Sequence, residues 1–301
     1  MQVPLILGST RLVGLLGDPV EQSLSPLIHN HAFAVLGIPY VYVPLRVKSA
    51  DVHCAAAAFR AWPFVGANIT IPHKRRIVPY CDTLSPLSTA IGAVNTLYFD
   101  KGLMVGTTTD AEGFFRALTW MGHDPVGGHV VIVGSGGVAR TLAFALAMRK
   151  TPGSLAVIGR DREKVSALAK EVVASTGFSV AGSDFSAGAC REMVRECSLL
   201  VNCTSVGMYP AVDSSPISAD WLHGGMTVFD TIYNPATTKL LIDARRAGCA
   251  TQNGLRMLLY QALASLKIWT GRDVPETIFD IEELQRGATG SGALTRGEER
   301  P

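Results

Sequence analysis

Charged residues are scarce in this sequence and nearly balance each other. Asp, Glu, Lys and Arg make up 17% of the 301 residues, and the formal net charge at pH 7 is +2. This composition excludes a strong electrostatic field toward nucleic acid or an anionic membrane as the basis of function. Any anion must therefore be recognised by a few local side chains, and we expect no nucleic-acid partner.

The sequence also lacks the cysteine and histidine spacings that bind metals. Its six cysteines, at positions 54, 81, 190, 197, 203 and 249, form no C-x-x-C pair. His29 and His31 are two residues apart, so they would face different sides of a helix, and His73 stands alone. We therefore expect no metal ion, and we interpret the thiols as reduced side chains of a cytosolic protein.

Long apolar runs are missing as well. No stretch reaches the ~18–20 apolar residues that cross a bilayer, and no basic region precedes the short apolar run near the N-terminus. We therefore expect neither a membrane span nor a signal peptide, and we predict a cytoplasmic location. Residues 287–301 are rich in Gly, Ser and charge, which predicts a disordered tail.

What the sequence does contain is an alternation of short β-rich segments with longer helical ones. Strands are predicted at 11–17, 40–47 and 64–71, a helix capped by Ser25 at 25–37, a helix from Pro72 to about Cys81, and a hairpin at 95–110. A second series starts after Gly113. This pattern predicts an α/β protein with two α/β domains and a cleft between them, divided near residue 112.

A glycine-rich turn marks the second domain. The segment "HVVIVGSGGVAR" (129–140) has the form G-x-G-x-x-A at Gly134, Gly136 and Ala139, between a predicted strand and a predicted helix. In that context Gly134 makes the tight turn, Gly136 admits a pyrophosphate and Ala139 permits close helix packing. We therefore predict a Rossmann-like dinucleotide-binding domain. The alternative is a glycine-rich turn that binds no ligand.

The end of the next predicted strand decides between the two nicotinamide cofactors. Arg160, Arg162 and Lys164 follow Gly159, and three cations suit the 2′-phosphate of NADP. Asp161 is the contrary feature, since an acidic residue near this point usually binds the ribose of NAD. A charged helix start without any cofactor role is the other alternative. We favour NADP.

Polar residues also follow the strands of the first half, where ligands of α/β sheets bind. Ser23 and Ser25 precede a helix, Thr70 and Lys74 flank Pro72, Asn95 follows an apolar run, and Asp110 ends the hairpin. Each has an ordinary structural explanation as a cap, a strand residue or a turn former. Their number favours a binding site, and one cation of "NITIPHKRR" (68–76) is then aimed inward.

Seven motifs occur in the order and spacing of one family. They are "GDPVEQSLSPLIHN", "GANITIPHK", "AIGAVNT", "GSGGVAR", "TSVGM", "DTIYNP" and "GLRMLLYQA". From about residue 11 to 286 the chain resembles the shikimate dehydrogenases and their quinate/shikimate relatives. The resemblance implies the reversible reduction of 3-dehydroshikimate to shikimate with NADPH, within chorismate and aromatic amino-acid biosynthesis. It also implies that helices at about 249–286 complete the substrate domain, 1–112, beside the NADP domain, 113–248.

The resemblance assigns roles residue by residue. Lys74 and Asp110 match the catalytic pair. The residues implied to contact substrate are Ser23, Ser25, Thr70, Asn95, Tyr233 and Gln261. Those implied to contact the cofactor are Gly134, Ser135, Gly136, Gly137, Val138, Ala139, Arg160, Arg162, Thr204, Met208 and Gly254. The oligomeric state stays open, with a homodimer as the candidate.

Four residues, in three segments, depart from the family pattern. Thr108 replaces the asparagine of N-T-D, Gly159-Arg160-Asp161 replaces N-R-T, and Arg256 replaces a glycine. The second departure leaves a quinate/shikimate dehydrogenase that uses NAD as the alternative function. A regulator that has kept the fold without turnover is disfavoured, because Lys74 and Asp110 are both present.

Overall fold

The computed structural model describes residues 5–185 and 188–294. Within these residues the chain forms two compact units. The first unit contains the chain up to Gly113 and again from Leu259 onward, and the second runs from Phe114 to Leu258. Each unit has its own β-sheet and its own apolar core. The predicted class, two α/β units, is confirmed.

The sheet of the first unit mixes parallel and antiparallel pairs. In chain order its strands are β1 (Arg11–Gly17), β2 (Tyr40–Arg46), β3 (Phe64–Ile69), β4 (Thr83–Leu84), β5 (Thr96–Asp100) and β6 (Leu103–Thr107). They lie in the spatial order β2-β1-β3-β5-β6-β4. The pairs β3–β5 and β5–β6 are antiparallel, and β1 is parallel to both of its neighbours. Lys101 and Gly102, both with positive φ, close the predicted β5–β6 hairpin.

The helices in this part of the chain are α1 (Ser25–Val35), α2 (Val52–Ala61), α3 (Pro86–Ile91) and α4 (Asp110–Trp120). The prediction that Ser25 caps α1 is wrong, because Ser25 is already the first helical residue and Leu24 occupies the N-cap. The preceding Ser23 takes part of the capping role instead. Its Oγ accepts a hydrogen bond from the Ser25 N–H at 3.2 Å.

The predicted helix from Pro72 to Cys81 is also wrong. The chain forms turns there and a single 3₁₀ turn at Val78–Tyr80. The backbone oxygen of Lys74 accepts from the Val94 N–H at 2.8 Å, so it is engaged outside this segment. Pro79 has no N–H to donate at all. Local bonds such as Ile77 N–H to the His73 oxygen close the turns, and the long-range bond to Val94 places Lys74 beside the start of β5.

The sheet of the second unit is fully parallel. In chain order its strands are β7 (His129–Val133), β8 (Ser154–Gly159), β9 (Val180–Asp184), β10 (Leu199–Asn202), β11 (Thr227–Asp230) and β12 (Ala250–Gln252). They lie in the order β12-β11-β10-β7-β8-β9. This is the doubly wound Rossmann order, and the order of the strands reverses between β7 and β10. Ligands of such sheets bind at this reversal, at the carboxyl ends of the strands.

The remaining helices are α5 (Gly137–Arg149), α6 (Arg162–Thr176), α7 (Gly188–Glu196), α8 (Lys239–Arg246), α9 (Leu255–Thr270) and α10 (Ile281–Leu294). Among the helices described, none is both long and apolar enough to cross a membrane.

Helix α10 corrects the prediction of a disordered tail from residue 287. The helix continues through Leu294, and residues 295–301 lie outside the described residues. Ala288 is 2% exposed, and a Cβ placed on Gly287 would lie 3.5 Å from the side chains of Leu24 and Leu27. The start of the predicted tail is therefore ordered because it packs against α1 and the residue before it.

The C-terminal end of helix α9 is anchored to the sheet of the first unit. The Trp269 indole Nε1–H donates to the backbone oxygen of Leu97 on β5 at 2.9 Å. Gly66 on β3 makes this possible, because a Cβ there would lie 2.4 Å from Trp269 Nε1. The anchor holds the buried face of α9, including Gln261 and Ser265, against the strands of the first unit.

Candidate active site

Lys74 and Asp110 form an ion pair in the first unit. Lys74 Nζ lies 2.6 Å from Asp110 Oδ2, and the two side chains are 29% and 13% exposed. Asp110 is the first residue of α4, and Lys74 lies in the turn that follows β3. The ammonium therefore has a fixed carboxylate partner and keeps further N–H donors for another ligand.

The amide of Asn95 holds the other carboxylate oxygen of Asp110. Asn95 Nδ2 donates to Asp110 Oδ1 at 2.8 Å, and Asn95 is 3% exposed. Gln261 Oε1 lies 3.4 Å from the same nitrogen. Lys74, Asp110, Asn95 and Gln261 thus form one hydrogen-bonded group, although they come from distant parts of the chain.

The turn that carries Lys74 is anchored by its neighbour His73. The His73 side chain is fully buried, and its Nε2 contacts the backbone oxygen of Val47 at 2.6 Å. A carbonyl can only accept, so this nitrogen carries the proton. Arg75 and Arg76, in contrast, are exposed. Of the three consecutive cations, Lys74 is the one turned toward the buried polar group.

The serines implied to bind a carboxylate lie together at the start of α1. Ser25 is 6% exposed, and Ser23 Oγ already accepts from its N–H. Thr70 follows β3, and its backbone N–H donates to the Leu16 oxygen at 2.8 Å, which fixes the residue at the end of the strand.

Tyr233, the remaining residue implied to bind the carboxylate, belongs to the second unit. It follows β11, and burial raises the pKa of its phenol. The phenol therefore stays protonated at neutral pH and is a hydrogen-bond donor.

The glycine-rich turn has the geometry that a dinucleotide requires. Gly134 has φ +112°, and a Cβ on it would lie 3.0 Å from Thr204 Cγ2. A Cβ on Gly136 or Gly137 would meet no atom within 4 Å. The N-terminus of α5 has no side-chain cap, so its N–H groups and its positive dipole end suit a phosphate. The turn therefore fits the pyrophosphate of a dinucleotide.

The charged side chains that follow β8 differ in whether they have partners. The carboxylate of Asp161 accepts from the Lys164 backbone N–H at 3.1 Å as the N-cap of α6. It also forms an ion pair with Lys164 Nζ at 2.8 Å, and the Lys164 side chain, chiefly by this hydrogen bond, lowers the pKa of Asp161. Arg162 lies 3.7 Å from Asp184. Arg160 is exposed and has no side-chain partner among the residues that the structure describes.

A buried carboxylate that sequence reasoning missed supports the loop after β10. Asp230 is fully buried, and its oxygens accept from Asn202 Nδ2, the Ile232 N–H and Thr238 Oγ1. Burial raises its pKa. Asn202 in turn accepts from the backbone N–H and the hydroxyl of Thr204. Asp230 stands in the motif "DTIYNP", but its burial depends on tertiary contacts.

Two departures from the family pattern can be explained from this geometry. The Arg256 guanidinium lies 3.4 Å from the centre of the Trp120 ring, a cation–π contact. The loop before Asp110 is held by Thr109 rather than by residue 108, since the Thr109 N–H donates to Asn95 Oδ1 at 2.8 Å. Within the described part of the chain no cluster of metal-binding side chains is found.

Comparison with known proteins gives consistent matches over nearly the whole chain. A model of the shikimate dehydrogenase substrate binding domain matches residues 15–97, and a model of the shikimate 5'-dehydrogenase C-terminal domain matches residues 254–279. Shikimate dehydrogenase (NADP(+)) of Moorella thermoacetica is 42% identical over 290 residues, which cover 96% of this chain and 98% of that protein.

Solved structures agree with these matches. Shikimate 5-dehydrogenase from Listeria monocytogenes, in complex with shikimate and NAD, is 33% identical with a TM-score of 0.86. The alignment covers 93% of this chain and 97% of that one. The Thermus thermophilus enzyme, in complex with NADP(H) and shikimate, is 32% identical with a TM-score of 0.80, covering 92% and 99%.

Proposed function

The chain belongs to the shikimate dehydrogenase family, and from this we propose that it catalyses the reversible NADPH-dependent reduction of 3-dehydroshikimate to shikimate. It is thus an NADP-dependent oxidoreductase acting on a CH–OH group, in the synthesis of chorismate and aromatic amino acids. The observation that carries the proposal is the Lys74–Asp110 pair, held by Asn95 in a buried polar group.

The pair suits the chemistry of a ketone reduction. The cofactor supplies a hydride to the carbonyl carbon, and the carbonyl oxygen then develops negative charge. The ammonium of Lys74 stabilises this charge through a hydrogen bond, and the Lys74–Asp110 pair supplies the proton. Asp110 keeps Lys74 in place through Oδ2, and the amide of Asn95 keeps Asp110 in place through Oδ1.

We assign substrate binding to neutral hydrogen-bonding groups. Ser23, Ser25 and Tyr233 would bind the carboxylate of shikimate, and Thr70, Asn95 and Gln261 would bind its ring hydroxyls. The burial of Ser25, Asn95 and Gln261 supports these roles, because buried polar groups form strong and directional hydrogen bonds.

For the cofactor, we assign the pyrophosphate to residues 134–139 at the start of α5 and the 2′-phosphate of NADP to Arg160. We also assign contacts with the cofactor to Arg162, Thr204, Met208 and Gly254. The support for Arg160 is that it lacks a side-chain partner in the described structure, whereas the carboxylate of Asp161 is engaged by Lys164. Part of the acceptor capacity and charge of Asp161 is therefore already used by α6 and Lys164. This argues against the alternative of an NAD-dependent quinate/shikimate dehydrogenase.

The experiment is a direct assay of the purified protein with shikimate and either NADP⁺ or NAD⁺, followed by absorbance of the reduced cofactor. We expect reduction of NADP⁺ in preference to NAD⁺, and loss of activity in Lys74→Ala. Absence of turnover with both cofactors would overturn the proposed function, and a preference for NAD⁺ would overturn the cofactor assignment.

We further propose a cytoplasmic location and a homodimer. All six cysteines are unpaired, as suits a reducing compartment. Two-fold dimers are the commonest closed assembly of soluble proteins. Light scattering on the purified protein tests the second proposal, with the mass of a monomer as the contrary result.

A further inference from the structure

A closed ring of hydrogen bonds in the first unit contacts the Lys74–Asp110 pair through Asn95, which donates to Asp110. Its members are four buried side chains, those of Asn95, Thr96, Thr109 and Ser265, here called the Asn95 ring. Asn95 Nδ2 is 3.1 Å from Thr109 Oγ1, which is 3.1 Å from Ser265 Oγ. Ser265 Oγ is 2.9 Å from Thr96 Oγ1, which is 2.7 Å from Asn95 Oδ1.

The orientation of the Asn95 amide in this ring is set by the backbone. The Thr109 N–H can only donate, and it points to Asn95 Oδ1 at 2.8 Å, so the amide oxygen must face that side. The amide nitrogen then donates to both Thr109 Oγ1 and Asp110 Oδ1. Because the Asn95 amide offers a donor at one end of the ring and an acceptor at the other, the three hydroxyls between them can each accept from one neighbour and donate to the next.

Ser265 is the member of the ring that α9 contributes, and its hydroxyl has polar neighbours on several elements. It lies one turn after Gln261 on α9, and its Oγ is also 3.0 Å from Asn68 Nδ2 and 3.1 Å from the Gln261 backbone oxygen. An ordinary helical serine needs the carbonyl of the preceding turn alone. Its single hydroxyl proton has two acceptors within reach, Thr96 Oγ1 at 2.9 Å and the Gln261 carbonyl at 3.1 Å. Ser265 therefore joins α9 to side chains from β3, β5 and the loop before α4.

We propose that Ser265 is a positioning residue for the reaction, an inference that rests on the proposed function. It acts through Asn95, whose second N–H must point at Asp110 Oδ1 so that Oδ2 remains for Lys74. If the amide turned over, its oxygen would face the carboxylate of Asp110 and repel it. A ring in which every member donates in the same sense strengthens each bond and resists this turn.

The test compares variants of the ring with a matched control. Ser265→Ala should lower kcat for shikimate oxidation about tenfold, since small displacements of catalytic groups have effects of this order or larger. KM for NADP⁺ should stay within about twofold, because no member of the ring is assigned to the cofactor, and KM for shikimate should change much less than kcat. The control is Ser88→Ala, which removes a fully buried hydroxyl with no hydrogen-bond partner in the described structure. It should leave kcat unchanged.

A second pair of variants decides the matter if Ser265→Ala does not fold. Thr96→Val keeps the shape of the side chain and removes its hydroxyl, so it should lower kcat as Ser265→Ala does. Thr96→Ser keeps the hydroxyl and should retain most of the wild-type kcat. A merely structural role would change the melting temperature without this split between kcat and KM.

Wild-type kcat in Ser265→Ala or in Thr96→Val would overturn the proposal, as would an equal loss of kcat in Ser88→Ala. One measurement does not depend on turnover, namely hydrogen exchange of the Asn95 side-chain amide by NMR. It should be slow in the wild type and faster in Ser265→Ala, and equal rates would contradict the ring. If the wild type exchanges slowly but does not oxidise shikimate, the proposed function fails and the ring stands.

Discussion

Lys74 differs from the two arginines that follow it in what surrounds its charge. Its ammonium is paired with Asp110 inside a buried polar group, whereas Arg75 and Arg76 are exposed. If Lys74 stabilises the developing alkoxide, its contribution belongs to the transition state. We expect Lys74→Ala to lower kcat by about 100- to 10,000-fold, with a much smaller change in KM for shikimate.

Steady-state kinetics with saturating NADP⁺ measures both constants. Asp110→Asn should also lower kcat, and the two losses should not add in the double variant, because the residues act as a unit. Arg75→Ala is the matched control and should behave as the wild type. A wild-type kcat in Lys74→Ala, or a strongly reduced kcat in Arg75→Ala, would show that the cation facing the buried polar group has been misidentified.

Arg160 and Asp161 are adjacent, yet the structure gives them different tasks. Arg160 lacks a side-chain partner within the described residues, while Asp161 caps α6 and pairs with Lys164. We expect Arg160→Ala to raise KM for NADP⁺ by about 10- to 100-fold, because charge-assisted hydrogen bonds to the 2′-phosphate are lost. KM for NAD⁺, which lacks this phosphate, should change little.

Asp161→Asn separates the two tasks. An asparagine keeps the N-cap but removes the negative charge. Because we assign no ribose contact to Asp161, the preference for NADP⁺ over NAD⁺ should stay as in the wild type. A marked change of this preference in Asp161→Asn, with none in Arg160→Ala, would transfer the selecting role to Asp161.

At the scale of elements, Gly134 and Gly136 differ in what demands a glycine. Gly134 has φ +112° and faces Thr204, so Gly134→Ala should destabilise the fold itself, by about 1–3 kcal/mol. Gly136 has an ordinary φ of −76° and open space where a Cβ would lie. Gly136→Ala should therefore leave the melting temperature unchanged and raise KM for NADP⁺ about tenfold, because the added methyl meets the pyrophosphate.

Thermal melts without cofactor, together with KM for NADP⁺, distinguish the two glycines. Each variant is the control for the other, since both add one methyl group to the same turn. A Gly136→Ala protein that binds NADP⁺ normally would remove the turn between β7 and α5 from the cofactor site.

Helices and strands whose ends are marked by glycine or another clear sequence signal were predictable from the sequence, and others were not. The β7 strand and α5 follow from an apolar run, a glycine turn and a long helical pattern. The segment from Pro72 has the proline of a helix start but folds into turns, and the backbone oxygen of Lys74 accepts from the distant Val94 rather than from Val78. The short, glycine-containing strand β9 (Val180–Asp184) and the three-residue β12 carry too weak a pattern to be recognised.

The same limit applies to the candidate site. Motifs name Lys74, Asp110 and Asn95, but nothing local distinguishes Ser265 from other serines in apolar helices. Its partner Thr109 is 156 residues away in the sequence, and the two meet because Trp269 and Gly66 anchor α9 on the first sheet. Positioning residues of this kind become visible when the tertiary structure is known.

At the scale of the whole molecule, stability in acid should depend in part on a buried histidine, His29. His29 is fully buried, stacks on Tyr42 with ring centres 4.4 Å apart, and has no hydrogen-bond partner for either nitrogen in the described structure. Burial lowers its pKa from 6.5 to about 3, and the nearby Asn68 opposes only part of this shift. Between these values the unfolded chain binds a proton that the folded protein does not bind, so stability must fall as the pH falls.

From pH 7 to pH 5 this one group should cost about 2 kcal/mol of the free energy of unfolding. Denaturant titrations at the two pH values measure the loss, and His29→Phe, which cannot titrate but preserves the aromatic stack, should lose about 2 kcal/mol less than the wild type. His53→Gln changes an exposed histidine and should retain the wild-type dependence. If His29→Phe and the wild type lose the same free energy over this range, the neutral buried imidazole is not what limits stability in acid.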